Sequence, residues 1–285
     1  MPGDNGSVPV TVLVPTVGRA ELLTACLRSI QSCQPAADEI LVVDQSGSEE
    51  VARLVEDIGA HLVRCAGRGI GKATNLGLRA ASHETVLVTH DDCTVSDDWV
   101  GTARALAARR PDVLFTGRVL PGGEADAVPS TIEDPVPRDY TGDLQVGALY
   151  PANMVLPRAT ALELGGFDER FIFAAEDNDF CYRWLRAGHG LRYEPQLVVW
   201  HHDWRSPVEM ERLYRGYYRE QGMFYAKHLR ARDPAVLRFL LSDLYRGVRG
   251  RAGALAHRRA TWSDPRPRIR HGLLPGLLFG WRRFR

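Results

Sequence analysis

The 285-residue chain, 45% apolar and 25% charged, has an ordinary globular composition that excludes global disorder. Its net charge of +1 conceals an asymmetry: residues 1–204 carry 17 Lys/Arg against 29 Asp/Glu, and residues 205–285 carry 19 against 6. The basic C-terminal section points to an anionic partner, with a membrane surface preferred over a nucleic acid.

Five cysteines (Cys26, Cys33, Cys65, Cys93, Cys181) without a Cys-x-x-Cys pair argue against a disulfide framework and against a thiolate zinc site. The N-terminus lacks the basic and apolar regions of a signal peptide, and no apolar stretch approaches the ~20 residues that span a bilayer. The expectation is a cytoplasmic protein, at most peripheral on the inner face of a membrane.

In chain order, Val8–Val14 is a β-branched run that predicts a buried first strand and feeds the loop Pro15–Arg19. Leu22, Leu23, Cys26, Leu27 and Ile30 fall at helical spacing and predict a helix over 20–33. Glu39–Asp44 reads as a second strand, with Ser46-Gly47-Ser48 opening the next helix. His61–Cys65 is a third strand. Gly67, Gly69 and Gly71 mark a loop before a helix through Leu78 and Ala81, and Thr85–Thr89 is a fourth strand ending at His90-Asp91-Asp92. Alternating strands and helices imply βαβ units and a largely parallel sheet, in which ligands bind beyond the carboxyl ends of the strands. The stretch from 118 to 145 is rich in Pro and Gly and reads as a lid or a disordered segment. A helix is expected from Glu176 to Gly188, a last strand over Gln196–Trp200, and a basic helical region from 206 onward.

Two acidic clusters carry the chemistry. Adjacent carboxylates at a strand end, Asp91-Asp92, are costly to hold together unless a cation neutralises them. Hard divalent ions suit one or two carboxylates with phosphate oxygens completing the shell. Glu176-Asp177 lies behind Phe171-Ile172-Phe173, and a carboxylate beside apolar rings has a raised pKa suited to a general base. Simple helix capping is the bland reading of both. His201-His202 closes another strand, and a neutral imidazole there suits a metal. Ala66–Ala73 nearly makes a phosphate-binding loop, but Ala73 stands where that motif needs Ser or Thr, which excludes a P-loop NTPase.

The order of these pieces over residues 8–203 resembles the family 2 glycosyltransferases of the GT-A fold, an inverting group. The resemblance rests on Val14-Pro15-Thr16 with Arg19, Val42–Gly47, Lys72–Gly77, His90–Cys93, Gly165–Glu169, Glu176–Phe180 and Trp200–His202. It implies an α/β GT-A domain, with a mixed, mostly parallel, Rossmann-like sheet, over 1–204, and a basic helical extension over 205–285. It further implies a nucleotide-diphosphate sugar as donor and Mg²⁺ or Mn²⁺ as cofactor. By resemblance, Asp44 binds the nucleobase with Pro15 and Thr16 lining the same pocket, Arg19 belongs to the donor site, and Lys72 and Asn75 lie near the phosphates or ribose. Asp91 contacts ribose or sugar, Asp92 ligates the metal with His201 preferred over His202, and Asp177 is the general base with Glu176 beside it. Two departures stand out. Gln45 replaces a second acidic residue near the nucleobase. The Asp-x-Asp metal motif reads Asp91-Asp92-Cys93, leaving Asp92 as the one carboxylate ligand because cysteine suits Mg²⁺ and Mn²⁺ poorly.

The acceptor is then a saccharide, a lipid-linked glycan or a small molecule. Aromatic and basic residues interleave over 214–230, and the apolar end Leu273–Arg283 is too short to span a bilayer but suits its surface. Packing on the catalytic domain or a homodimer contact is the bland reading of that region. The alternative to an active enzyme is a catalytically silent nucleotide-sugar-binding subunit of a glycan-assembly complex.

Overall fold

The computed structural model describes residues 8–123, 131–142, 147–202, 206–256 and 272–284. Parts of the 118–145 stretch, namely 124–130 and 143–146, lie outside the described residues. The chain divides into two units, one of residues 1–172 with 176–205 and one of residues 173–175 with 206–285.

The first unit is a nine-stranded sheet with helices packed on it. Strand β1 (Val10–Thr16) is buried throughout, which suits its β-branched run. It pairs in parallel with β2 (Glu39–Asp44) and β4 (Thr85–Val88), and β2 pairs in parallel with β3 (His61–Arg64). The crossovers are α1 (Ala20–Gln31), α2 (Glu49–Ile58) and α3 (Ile70–Ala80). Ser48 caps α2 by accepting from the Glu50 and Val51 amides. Helix α3 lies so close to β1 that a Cβ on Gly77 would stand 2.7 Å from Leu13 Cδ2, so only glycine fits that crossing.

Beyond β4 the sheet departs from the parallel expectation. The full order is β3-β2-β1-β4-β8-β6-β9-β5, with β7 (Arg138–Tyr140) also on β9. Here β8 (Met154–Pro157) runs antiparallel to β4 and to β6 (Leu114–Pro121). Strand β9 (Leu191–His201) is parallel to β6 and antiparallel to β5 (Cys93–Val95) and β7. Parallel pairing is thus concentrated in the N-terminal half, where strands alternate with helices. The strands β6 and β7 order part of the stretch whose Pro/Gly content suggested a lid. Helix α4 (Trp99–Arg109) packs on this half, α5 (Arg158–Glu163) follows β8, and α6 (Glu176–Arg186) precedes β9.

The β6–β9 register shifts between Gly117 and Arg118, so Gly117 faces Glu194 while Arg118 faces Val198. Asn153 staples this irregularity. Its Nδ2 donates to Arg118 O (2.9 Å) and Leu197 O (3.0 Å), and its Oδ1 accepts from Trp99 Nε1 (2.9 Å). Asn153 is fully buried.

The second unit is helical: α7 (Pro207–Arg230), α8 (Pro234–Ala256) and α9 (Leu274–Arg283). A capping box between Ser206 and Glu209 starts α7. Helices α7 and α9 pack backbone to backbone, because a Cβ on Gly276 would run into the main chain at Arg219. Glu220 of α7 accepts from the Phe173 and Ala174 amides at 3.0 Å each. No helix among the described residues is long and apolar enough to cross a membrane.

Asn153→Ala strands a buried indole N–H and two carbonyls, each worth roughly 1–3 kcal/mol unpaired. We expect urea denaturation to show a loss of about 3–5 kcal/mol; a loss below about 1 kcal/mol contradicts the staple.

Candidate active site

The parallel register sets Thr16 beside Asp44 at the carboxyl ends of β1 and β2, and β4 leads directly into Thr89–Asp92. Thr16, Asp44 and the Asp91-Asp92 pair therefore lie beyond the carboxyl ends of three neighbouring strands.

Asp44 is almost wholly buried and its carboxylate is well used. Oδ1 accepts from the Ser46 amide (2.8 Å) and hydroxyl (2.6 Å), and Oδ2 accepts from the Gly47 amide (3.1 Å) and Arg64 Nη1 (2.5 Å). Arg64 also reaches Ser48 O and Glu49. Gln45 turns toward the glycine loop, where its Oε1 accepts from the Gly69 amide at 2.8 Å.

Asp91 and Asp92 are 1% and 3% exposed. One guanidinium meets both: Arg19 donates through Nε (3.2 Å) and Nη2 to Asp91, and through Nη1 to Asp92 at 2.9 Å. Thr16 Oγ1 donates to Asp91 Oδ2 at 2.6 Å and accepts from the Gly18 amide at 3.0 Å. The two acids differ in consequence. Burial raises the Asp91 carboxyl above the ordinary range, with Arg19 only partly offsetting it. Burial opposes ionisation of Asp92 as well, but His201 and Arg19 outweigh it and hold that carboxyl far below the usual range.

His201, 3% exposed, ends β9 and sets Nε2 3.5 Å from Asp92 Oδ2. Tyr150 Oη meets the other ring nitrogen, Nδ1, at 3.1 Å. His202 points elsewhere, its Nε2 lying 2.9 Å from Thr94 Oγ1, so His201 is the histidine the structure joins to the aspartate pair. The donor atoms of Asp92, Cys93 and His201 all lie within 4.8 Å of one another. His201 Nε2 is buried without a hydrogen-bond partner. A buried imidazole nitrogen facing an ionised carboxylate fits a cation site.

In the glycine loop, Lys72 Nζ donates to Ala66 O at 2.6 Å. Asn75 makes three hydrogen bonds. Its amide nitrogen donates to Phe167 O (2.8 Å) and Glu169 Oε1 (3.0 Å), and its oxygen accepts from the Phe167 amide (2.8 Å). These bonds tie α3 to the Phe167 backbone and to the Glu169 carboxylate. Pro15 is buried within β1 opposite Val43.

Glu176 and Asp177 open α6, where the helix dipole favours negative charge. Gly71 lets α6 approach the glycine loop: a Cβ there would stand 3.0 Å from Phe167 Cβ and 3.6 Å from Glu176 Cβ. Asp177 is half-buried, and burial pushes its carboxyl up to about 6 although the Asn178 amide donates to it at 2.7 Å. Asp179 instead pairs with Arg183, which also holds Leu164 O and Gly166 O.

Arg64 and Tyr150 join these groups without having been singled out as site residues, and Cys93, set aside as a poor ligand for Mg²⁺ and Mn²⁺, lies beside Asp92 as the chain order dictates. The contacts of the first two come from sheet register, for which one sequence carries little signal. Only the Arg64 position, ending a strand parallel to that of Asp44, offers a hint.

Residues 11–154 match the family model described as glycosyl transferase family 2. The chain is 29% identical over 218 residues to the pre-mycofactocin glycosyltransferase of Mycobacterium tuberculosis (strain CDC 1551 / Oshkosh), covering 70% of this chain and 43% of that protein. The chain thus spans less than half the length of this curated relative. Among solved structures it resembles S. aureus TarS 1-349 in complex with UDP-GlcNAc, with TM-score 0.60 and 18% identity, covering 76% of this chain and 66% of that one. It also resembles GalNAc-T7 with UDP, GalNAc and Mn²⁺, with TM-score 0.58 and 17% identity, covering 79% and 51%. At such identities these likenesses speak to the fold. The sequence match runs from β1 to the start of β8 and takes in the Asp44 turn and the Asp91-Asp92 pair; the chain belongs to glycosyl transferase family 2 and has the GT-A fold.

Proposed function

We propose that the protein is an inverting glycosyltransferase that moves a sugar from a nucleoside diphosphate to an acceptor hydroxyl in a single displacement. The observation that carries this reading is the buried Asp91-Asp92 pair at the end of β4, met by Arg19 on one side and His201 on the other. A mutually repelling acidic pair held by a guanidinium and an imidazole suits a site where diphosphate charge arrives with a counter-ion. Family membership supports the donor class, and the UDP and UDP-GlcNAc in the TarS complexes favour a uridine nucleotide.

In this reading Asp44, oriented by Arg64 and the Ser46-Gly47 turn, receives the nucleobase, with Pro15 and Thr16 beside it. Asp91, fixed by Thr16 and Arg19, addresses the ribose or sugar. Lys72 and Arg19 place positive charge near the leaving diphosphate, where it is worth most as charge develops. Asp92 and His201 would hold a divalent cation, which would neutralise the departing diphosphate. Asp177 accepts the proton of the acceptor hydroxyl, with Glu176 alongside. Its raised pKa makes it a stronger base than an ordinary aspartate while leaving it ionised at neutral pH.

The acceptor is proposed to be presented at a membrane. On α9, Leu274, Leu278 and Trp281 are exposed at helical spacing, Leu278 at 70%, and Leu237, Leu241 and Tyr245 form a similar stripe on α8. Apolar stripes in a C-terminal section carrying 19 Lys/Arg against 6 Asp/Glu over 205–285 suit an anionic bilayer surface and a lipid-linked acceptor.

Asp177→Asn should lower turnover by about 10²–10⁴-fold while nucleotide binding persists, the usual weight of a positioned base. The wild-type rate should climb as pH rises through about 6, where Asp177 loses its proton, and then level off. Turnover retained in the variant would remove Asp177 from the reaction. In flotation assays the protein should rise with vesicles containing phosphatidylserine at low salt and stay behind with neutral ones; indifference to both contradicts the membrane reading.

A further inference from the structure

The proposed function places a cation at Asp92 and His201; the identity of a third ligand, and with it the class of ion, is a separate matter. Strand β5 starts at Cys93 and pairs antiparallel with β9 so that Cys93 stands opposite His201. Directly opposed residues on one face of such a pair have Cβ atoms about 4.5–5.5 Å apart. Alternation along both strands keeps the assignment consistent. Cys93 and Val95 are buried with His201 and Val199, while Thr94 turns to the other face and meets His202. The thiol is therefore on the metal side of the strand by register, one residue beyond Asp92.

We propose that Cys93 is a metal ligand and that Asp92, Cys93 and His201 form a borderline-soft site selective for Zn²⁺-class ions over Mg²⁺ and Mn²⁺. The three donor atoms lie within 4.8 Å of one another and all three residues are buried. Asp92 Oδ2 is 3.5 Å from His201 Nε2, and Asp92 Oδ1 is 3.9 Å from Cys93 Sγ. The carboxylate thus meets the imidazole through one oxygen and the thiol through the other. Thiolate and imidazole favour zinc chemically, whereas Mg²⁺ and Mn²⁺ prefer all-oxygen shells.

The remaining parts of the site agree. Tyr150 Oη occupies His201 Nδ1, which orients Nε2 toward the carboxylate in the way metal-bound histidines are held from behind. Arg19 engages Asp92 Oδ2, and Oδ1 is the oxygen that faces the sulfur. Three protein ligands leave a fourth position, the arrangement of zinc sites that accept an exogenous oxygen. Binding balances as M²⁺ plus the thiol giving the metal thiolate and one proton released to solvent.

Co²⁺ added alone to the full chain, without nucleotide, tests this directly, because a Co²⁺–thiolate bond gives an intense near-ultraviolet charge-transfer band that oxygen and nitrogen ligands do not. The expected result is a band that saturates at one Co²⁺ per chain, is abolished in Cys93→Ser, survives in Cys26→Ser and Cys33→Ser, and is erased by equimolar Zn²⁺ but not by a hundredfold excess of Mg²⁺. No band in the wild type at saturating Co²⁺ overturns the proposal, as does a band that persists in Cys93→Ser or yields to Mg²⁺. Because the wild-type spectrum decides the first point, a poorly folded variant cannot rescue the proposal. Failure here leaves the glycosyltransferase reading to its own test by turnover.

Discussion

Two carboxylates side by side at the end of an apolar strand repel each other and have lost most of their water. Asp91 and Asp92 are held that way at the end of β4, and the first unit is arranged to meet them. Arg19 arrives from the β1–α1 loop, Thr16 from the end of β1 and His201 from the far end of β9. Parallel pairing of β1 with β4 brings the first two, and antiparallel pairing of β5 with β9 brings the third. Breaking one partner leaves an uncompensated buried charge, the costly case for such clusters. The sheet's change from parallel to antiparallel is therefore what completes the site.

The same physics divides the acids between tasks. Asp92, facing an imidazole and a guanidinium, stays ionised at any working pH and suits a cation. Asp177, opening a helix where burial outweighs the backbone amides that favour its charge, has its carboxyl pushed up to about 6 and suits proton transfer. Carboxylates in one domain acquire different chemistry from their neighbours alone.

Much of this was legible in the sequence because it is local. The β-branched runs of β1, β2 and β4, the helical spacing of α1 and the Ser48 cap follow from pattern and turn chemistry. Asp44, Asp91 and Asp92 could be placed at strand ends because those strands are short and sharply bounded. What stayed hidden depends on register. The antiparallel second half, the Asn153 staple over the Gly117–Arg118 shift, Arg64 behind Asp44 and Tyr150 behind His201 join residues far apart in the chain. Asn75 is a further case, its side chain bonded to Phe167 and Glu169 far along the chain. The Pro/Gly content after Gly117 likewise concealed β6 and β7, whose pairing comes from β9 and β8 and not from local propensity.

The account rests on a nucleotide-diphosphate site at the edge where Asp44 and Asp92 gather. Thermal unfolding followed with UDP, GDP, dTDP and CDP, each with and without a divalent ion, tests it most directly. A ligand at about 100 times its Kd adds roughly 2.7 kcal/mol to stability. The account predicts a shift with one nucleoside diphosphate, UDP foremost, that grows with the ion and loses its ion-dependent part in Asp92→Asn. Unchanged unfolding with all four nucleotides under every condition contradicts it.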